Sequence, residues 1–169
     1  MALKPQDVLV LLAISLHGEK PWSYSALALS LGMSPSEVHA AVGRAQQVGL
    51  LSADKRRPNR AALLEFLVHG LKYVFGAERG GITRGTPTAH AAPPLVSQIS
   101  SNGDLPPVWP DPEGTARGEE FKPLYKSATT AARSDPKLYQ CLALIDAIRG
   151  GRARERKLAE HHLRELLAS

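Results

Sequence analysis

Residues 24–51 read YSALALSLGMSPSEVHAAVGRAQQVGLL, and their pattern predicts two short helices joined by a tight turn. Ser23, just before this stretch, is placed to cap the first helix. Gly32 follows the last leucine of that helix, where a left-handed residue would end it. Residues 34–37, Ser-Pro-Ser-Glu, combine an N-cap serine, a proline at the first helical position and a glutamate three residues after the cap. The second helix therefore has a clear start, and Gly49 marks its end.

Two helices that meet steeply across such a turn form a helix-turn-helix, which needs small or apolar residues where the helices touch and a glycine in the turn. The residues that meet this need are Ala28, Gly32, Met33, Val38, Ala41 and Val42. The sequence here resembles bacterial winged-helix transcription regulators, with a MarR-like pattern in LGMSPSEVHAAVGRAQQVGLL followed by a basic stretch. The resemblance covers roughly Leu3 to Phe75 and implies a domain that binds double-stranded DNA.

Two further helices are predicted in the same part of the chain. Pro5 suits a first helical turn, and an apolar face then continues towards Gly18. Asn59 is placed to cap another helix, whose apolar residues extend to Phe75. Residues 1–75 are therefore predicted to form a winged helix-turn-helix DNA-binding domain.

The resemblance implies that the helix after Ser34 enters the major groove. Its buried stripe is predicted to contain Val38, Ala41, Val42, Ala45 and Val48. Its DNA-facing side is predicted to contain Ser36, His39, Ala40, Gly43, Arg44 and Gln47. Small residues at Ala40 and Gly43 would let the backbone approach DNA. Arg44 would pair with guanine or a phosphate and Gln47 with adenine or a phosphate, while Ser34 and the free amides at the helix start suit a phosphate.

A basic stretch follows this helix at once. Leu50-Leu51 is predicted to start the wing, and residues 54–60 form its tip. The tip carries four cations suited to DNA backbone contacts, Lys55, Arg56, Arg57 and Arg60. Because the helical pattern resumes at Asn59, there is little room for a returning strand. The wing is then either a clipped loop or completed by a strand from the middle of the chain, and a solvated charged loop is an equal alternative to a DNA contact.

The middle of the chain, residues 76–133, is rich in proline and glycine, which predicts an irregular segment. Short strands are placed at Ile82-Thr83, at Val108-Trp109 and at Phe121. The pattern leaves open whether this segment folds onto its neighbours or is mobile.

The last part, residues 134–169, is predicted to be a pair of helices, so that the fold class is mainly α. Ser134 is placed to cap the first helix, and Gly150-Gly151 separates the two. Their apolar faces exceed what two helices can cover for each other, which predicts a homodimer formed through them.

The composition is compatible with this interpretation. The 169 residues are 43% hydrophobic and carry a formal charge of +5, which favours a polyanionic partner. The single cysteine, Cys141, excludes an intramolecular disulfide, and its apolar helical surroundings predict a buried thiol. No apolar stretch approaches the ~20 residues of a membrane span, so we expect a cytoplasmic protein without a membrane partner.

No catalytic or metal motif is found. Residues 78–90 gather glycines, arginines, hydroxyls and a histidine but lack the spacings of phosphate-binding loops, so we predict an ordinary loop there. The six histidines show no metal spacing. We therefore expect no catalytic activity, no metal and no cofactor.

These observations favour a sequence-specific transcription regulator that acts as a repressor. The alternative is an adaptor or antitoxin-like partner that uses the helical domain for protein contacts.

Overall fold

The computed structural model describes residues 2–54 and 56–168, and it is mainly helical, as predicted. The helices before the sheet are α1 (Pro5–His17), α2 (Tyr24–Leu31), α3 (Pro35–Gln47), α4 (Arg60–Glu65) and α5 (Leu71–Val74). A π-helical turn, Phe66–Gly70, joins α4 to α5. The helices after the sheet are α6 (Ala128–Ser134), α7 (Pro136–Gly150) and α8 (Ala153–Ala168).

The helix ends predicted in the first 75 residues are confirmed. The Ser23 hydroxyl accepts a hydrogen bond from the amide of Ala26, and the Asn59 side chain accepts one from the amide of Ala62. Gly32 ends α2 with φ +66°, in the left-handed region that glycine adopts at little cost. Gly18 lies at the end of α1.

The sequence left open whether the middle segment is folded or mobile, and the structure shows that it folds into a small closed sheet. β1 (Arg79–Pro87) pairs antiparallel with both β2 (Pro107–Pro110) and β3 (Ala116–Phe121). Because β2 and β3 also pair with each other in parallel, the three strands close on themselves. Two short 3-10 turns, Ala89–Ala91 and Leu95–Ser97, lie between β1 and β2.

The three strand positions expected at Ile82-Thr83, Val108-Trp109 and Phe121 are confirmed. The prediction of a loop over residues 78–90 is wrong, because most of that range is β1. Proline and glycine suggested a loop, but in this sheet glycine allows close strand approach.

Two glycines make that approach possible. A Cβ on Gly85 would lie 2.0 Å from the carbonyl oxygen of Trp109, and one on Gly118 would lie 2.0 Å from that of Pro106. Any larger residue at either position would force the strands apart.

One helix was missed and one cap was misplaced. α6 occupies Ala128–Ser134, and Ser134 is its last residue rather than the cap of the next helix. Asp135 caps α7, since its carboxylate accepts hydrogen bonds from the amides of Lys137 and Leu138 at 3.1 and 3.2 Å. An aspartate next to the proline at the first helical position is the stronger start signal.

A continuous hydrophobic core joins the two ends of the chain. α7 packs against α1, α5 and α8, and the side chains of Leu142, Leu144 and Ile145 are almost fully buried. Leu163 of α8 is buried as well. The apolar surplus that predicted a homodimer is therefore covered within one chain, and the homodimer itself stays a prediction.

A buried polar network fastens the sheet to α7. The carboxylate of Asp146 accepts hydrogen bonds from the hydroxyl of Thr88 at 2.6 Å and the indole of Trp109 at 2.7 Å. Arg149 donates to the same carboxylate at 2.8 Å and to the carbonyl of Phe75 at 2.8 Å. The network links the end of β1, β2 and the segment after α5 to a single helix.

Cys141 is buried, as predicted, and burial raises the pKa of its thiol to about 12. Within residues 2–54 and 56–168, no helix is both long and apolar enough to cross a membrane.

Candidate nucleic-acid interface

The turn between α2 and α3 is built by Gly32 and Met33. The amide of Met33 donates to the carbonyl of Ala28 at 3.0 Å, and its side chain is buried in the core. Ala28, Val38 and Ala41 are buried as well, so α3 is held against the rest of the chain by its apolar side. The residue types that predicted a tight helical pair are thus brought together.

The start of α3 forms a complete capping box. The Ser34 hydroxyl accepts from the amide of Glu37 at 3.1 Å, and the Glu37 carboxylate accepts from the amide of Ser34 at 2.7 Å. The hydrogen bond from the Ser34 amide lowers the pKa of the exposed Glu37 carboxylate. Because a carboxylate already lies at this helix start, a phosphate is disfavoured there. Ser34 acts as a cap, and the phosphate contact expected of it lacks support.

The outward face of α3 is open. Its residues are Ser36, His39, Ala40, Gly43 and Gln47, all exposed except the half-buried Gly43. A Cβ added at Gly43 would meet no atom within 4 Å, so no other part of the described chain covers this point of the helix. The ring of His39 lies 4.9 Å from that of Tyr24, which places it at one edge of the face. The face carries small side chains beside His39 and Gln47, and none of its residues is a lysine, arginine, aspartate or glutamate.

Arg44 does not belong to that face, and its placement among the DNA-facing residues is wrong. Its side chain is only 7% exposed and donates two hydrogen bonds, both of 2.8 Å, to the carboxylate of Asp7 in α1. The same carboxylate accepts the amide of Lys4 at 2.8 Å. The hydrogen bond with Asp7 raises the pKa of Arg44. Arg44 therefore fastens α3 to α1, whereas Val48, which was predicted to be buried, is 49% exposed.

The segment after α3 forms a clipped hairpin. Leu51 and Pro58 form a single bridge, and the amide of Ser52 donates to the carbonyl of Arg57 at 2.8 Å. The alternative that the middle of the chain supplies a returning strand is wrong, because β1, β2 and β3 pair with one another. The hairpin is stabilised at its tip by Asp54, whose pKa is lowered by a hydrogen bond from Ser52.

The cations of this hairpin differ in what they contact. Arg56 donates to the carbonyl of Trp22 at 3.0 Å and lies over its ring at 4.9 Å, while the indole of Trp22 donates to the carbonyl of Arg56 at 3.1 Å. Arg57 is exposed, with Glu19 at 3.7 Å. Arg60 is exposed and donates to the carbonyl of Ala168 at 3.3 Å. Lys55 lies outside the described residues. Arg56 thus holds the hairpin in place through Trp22, whereas Arg57 and Arg60 are exposed and their contacts, at 3.7 and 3.3 Å, are longer.

Arg79 and His90, near the two ends of the glycine- and arginine-rich stretch at residues 78–90, are both held by contacts with the C-terminal part of the chain. Arg79 donates to the carbonyl of Gly150 at 2.8 Å, and the ring of His90 lies 3.2 Å from the carboxylate of Glu155. In the part of the chain that the structure describes, no three histidine, cysteine, aspartate or glutamate side chains are grouped so that they could hold a metal ion.

Comparison of the chain with protein-family models, with curated proteins and with solved structures finds no significant match.

Proposed function

We propose that the protein is a sequence-specific regulator of transcription that binds double-stranded DNA and acts as a repressor. Its α2 and α3 would be the helix-turn-helix and its hairpin at residues 51–58 a short wing. The observation that carries this proposal is the open face of α3, where small side chains surround Gln47 and nothing described stands in front of Gly43. A helix with such a face fits the width of the major groove. We propose no catalytic step.

Reading of the bases would depend on the residues that project furthest from this face. Gln47 is exposed at the last position of α3, and a glutamine amide can bond both the N6 and N7 positions of adenine. Ser36 and His39 offer further polar groups to either base edges or phosphates. Ala40 and Gly43 would allow the helix to approach closely.

Contacts to the DNA backbone would come from Arg57 and Arg60. Arg57 lies on the hairpin after α3, and Arg60 is the first residue of α4. Phosphate contacts set the register of a protein on DNA without carrying sequence information. Arg56 is not proposed for this role, since its guanidinium is already bound to Trp22.

We also propose that the protein binds as a homodimer, because a two-fold pair engages two half-sites about one helical turn apart. The surface that joins the copies is not assigned. Light scattering is expected to return twice the chain mass of 18.2 kDa. A stoichiometry of one chain per selected duplex in the protein–DNA complex would contradict the dimer.

The test is selection of binding sites from a pool of random duplexes, followed by sequencing. The wild-type protein is expected to enrich one motif, and Gln47→Ala is expected to relax the preference at one base pair of it. Gln98→Ala makes the same chemical change outside α3 and serves as the matched control. If the wild type enriches no motif, the proposed function is wrong.

One observation favours the alternative of a protein-binding adaptor. Leu29 on α2 is 86% exposed, and an exposed leucine beside a recognition surface suits contact with another protein. If the protein is an adaptor, Leu29→Ser should abolish binding of its protein partner without changing its affinity for DNA. If it is a regulator that reads DNA with α3, the same variant should keep its sequence preference.

A further inference from the structure

The pairing of β1 with β3 places two arginines face to face. Arg84 lies directly opposite Arg117 in the antiparallel register, and both are exposed. Residues that are directly opposite project to the same face of a sheet, with Cβ atoms about 5 Å apart, and like charges there are destabilising. The fold therefore tolerates an unfavourable pair at this position.

Direct partners for the two guanidiniums are absent from the described chain. Across residues 2–54 and 56–168, neither guanidinium forms a hydrogen bond or an ion pair. The nearest acid by register, Glu119, lies opposite Ile82 on the same face and does not pair with either arginine. Other arginines around the sheet are occupied, since Arg133 binds Asp111 at 2.6 Å and Glu113 at 2.9 Å. The Arg84–Arg117 pair thus has no direct partner among the described residues.

The surface around the pair is concave and lined by groups that suit a phosphate. It encloses about 410 Å³ between the two strands and the turn before β3. The lining residues are Ile82, Thr83, Arg84, Thr115, Ala116 and Arg117. Two guanidiniums provide donors in one place, and the guanidinium fork matches the geometry of phosphate oxygens.

We propose that the Arg84–Arg117 pair binds backbone phosphates of the DNA that α3 reads. This inference depends on the proposed function and extends it. α3 itself presents no exposed lysine or arginine, because Arg44 is buried against Asp7. Double-stranded DNA carries one negative charge per ~1.7 Å of its axis, so a helix without cations depends on phosphate contacts from other parts of the protein, and the pair would add to those proposed for Arg57 and Arg60.

Contacts at the two ends of α6 connect the two surfaces. Ser127, just before α6, lies against the α2–α3 turn, where a Cβ added to Gly32 would be 3.3 Å from that of Ser127. At the other end of α6, Arg133 binds Asp111, whose amide donates to the carbonyl of Arg84 at 3.1 Å. The seven residues of α6 span about 10 Å, so only this short helix separates the α2–α3 turn from the strand that carries Arg84.

The experiment compares two double variants of the full chain that lose the same charge. Arg84→Gln with Arg117→Gln removes the pair, and Arg154→Gln with Lys157→Gln removes two exposed cations of α8 as the control. Affinity is titrated on the selected duplex and on a scrambled duplex at several salt concentrations. Loss of each phosphate contact is expected to make the slope of log affinity against log salt concentration shallower by about 0.9. At 0.1 M salt this corresponds to an affinity about eightfold lower.

The expected result is an equal loss of affinity on both duplexes, with the sequence preference kept and a smaller effect in the control. The melting temperature of the Arg84→Gln, Arg117→Gln variant should not fall, because a repulsion has been removed. If the Arg84→Gln, Arg117→Gln variant keeps the wild-type affinity and salt slope, the inference is wrong. The proposed function still stands in that case, provided that the wild type prefers the selected duplex to the scrambled one. Wild-type protein that binds no duplex would overturn both. Loss of DNA binding together with a lower melting temperature would assign the pair a structural role instead, and would also contradict the inference.

Discussion

The guanidinium of Arg44 on α3 donates two hydrogen bonds of 2.8 Å to the carboxylate of Asp7 on α1, and both side chains are buried. The recognition helix proposed here is therefore fastened to the first helix by a charge pair as well as by apolar contacts. Arg44, which the sequence pattern placed on the DNA-facing side, instead fixes the direction in which α3 presents its open face.

Removal of one partner of this pair should destabilise the fold. Arg44→Ala leaves the Asp7 carboxylate buried without its partner, which typically costs about 3–5 kcal/mol in the free energy of unfolding. Arg57→Ala removes an exposed arginine and should cost well under 1 kcal/mol. Urea unfolding of the two variants measures the difference.

The double variant Asp7→Leu with Arg44→Met provides the control for this prediction. It removes both buried charges and costs only the hydrogen bond from the Lys4 amide to Asp7, so it should recover much of the stability that Arg44→Ala loses. Equal stability of Arg44→Ala and Arg57→Ala would show that the pair does not hold α3 in place.

Stability should depend on pH through Asp111. Burial alone would raise the pKa of Asp111, but hydrogen bonds from the Glu113 amide, Arg133 and Thr86 outweigh it and hold that pKa below its ordinary value of 3.8. A lowered pKa in the folded state means that this stabilisation is complete above pH 3.8 and is lost as the pH falls through the folded value.

The measurement is the unfolding free energy of the wild type and of Asp111→Asn between neutral pH and strong acid. The stability advantage of the wild type should be constant well above pH 3.8 and should shrink below it. An advantage that instead grows as the pH falls would reverse the sign and rule out this role of Asp111.

The C-terminal helices should be required for folding and not only for assembly. A chain that ends at Arg133 lacks α7, whose Leu142, Leu144 and Ile145 fill the core against α1 and α5. Exposure of the matching surface of α1 should make the shortened chain insoluble or unfolded. A soluble truncated chain with a cooperative unfolding transition would show instead that residues 1–133 form an independent core.

Local signals in the sequence were enough to predict the starts of the helices that begin at strong capping residues. Ser23, Ser34 with Glu37, and Asn59 act on amides two or three residues away, so their positions could be predicted without knowledge of the fold. α6 was missed because its seven residues, ATTAARS, show no clear apolar period, and Ser127 before them makes no capping hydrogen bond.

The rest depends on contacts between distant parts of the chain. Arg44 lies on the flank of α3 next to the outward face, and only the packing of Asp7, 37 residues earlier, decides that it points inwards. Arg84 and Arg117 are brought together by strand register, and no local pattern marks them. The positive charge of the whole chain could be predicted from the sequence, but not which cations stay free of partners.

The central proposal is that α3 reads DNA, and a titration on the selected and the scrambled duplex at several salt concentrations tests it most directly. For Gln47→Ala we expect the gap in binding free energy between the two duplexes to narrow by about 1–3 kcal/mol, with the salt dependence nearly unchanged. For Arg57→Ala and Arg60→Ala we expect the gap to persist while each salt slope becomes shallower by about one unit. A wild-type protein that binds both duplexes equally, or a Gln47→Ala variant that keeps the full gap, would contradict the proposal.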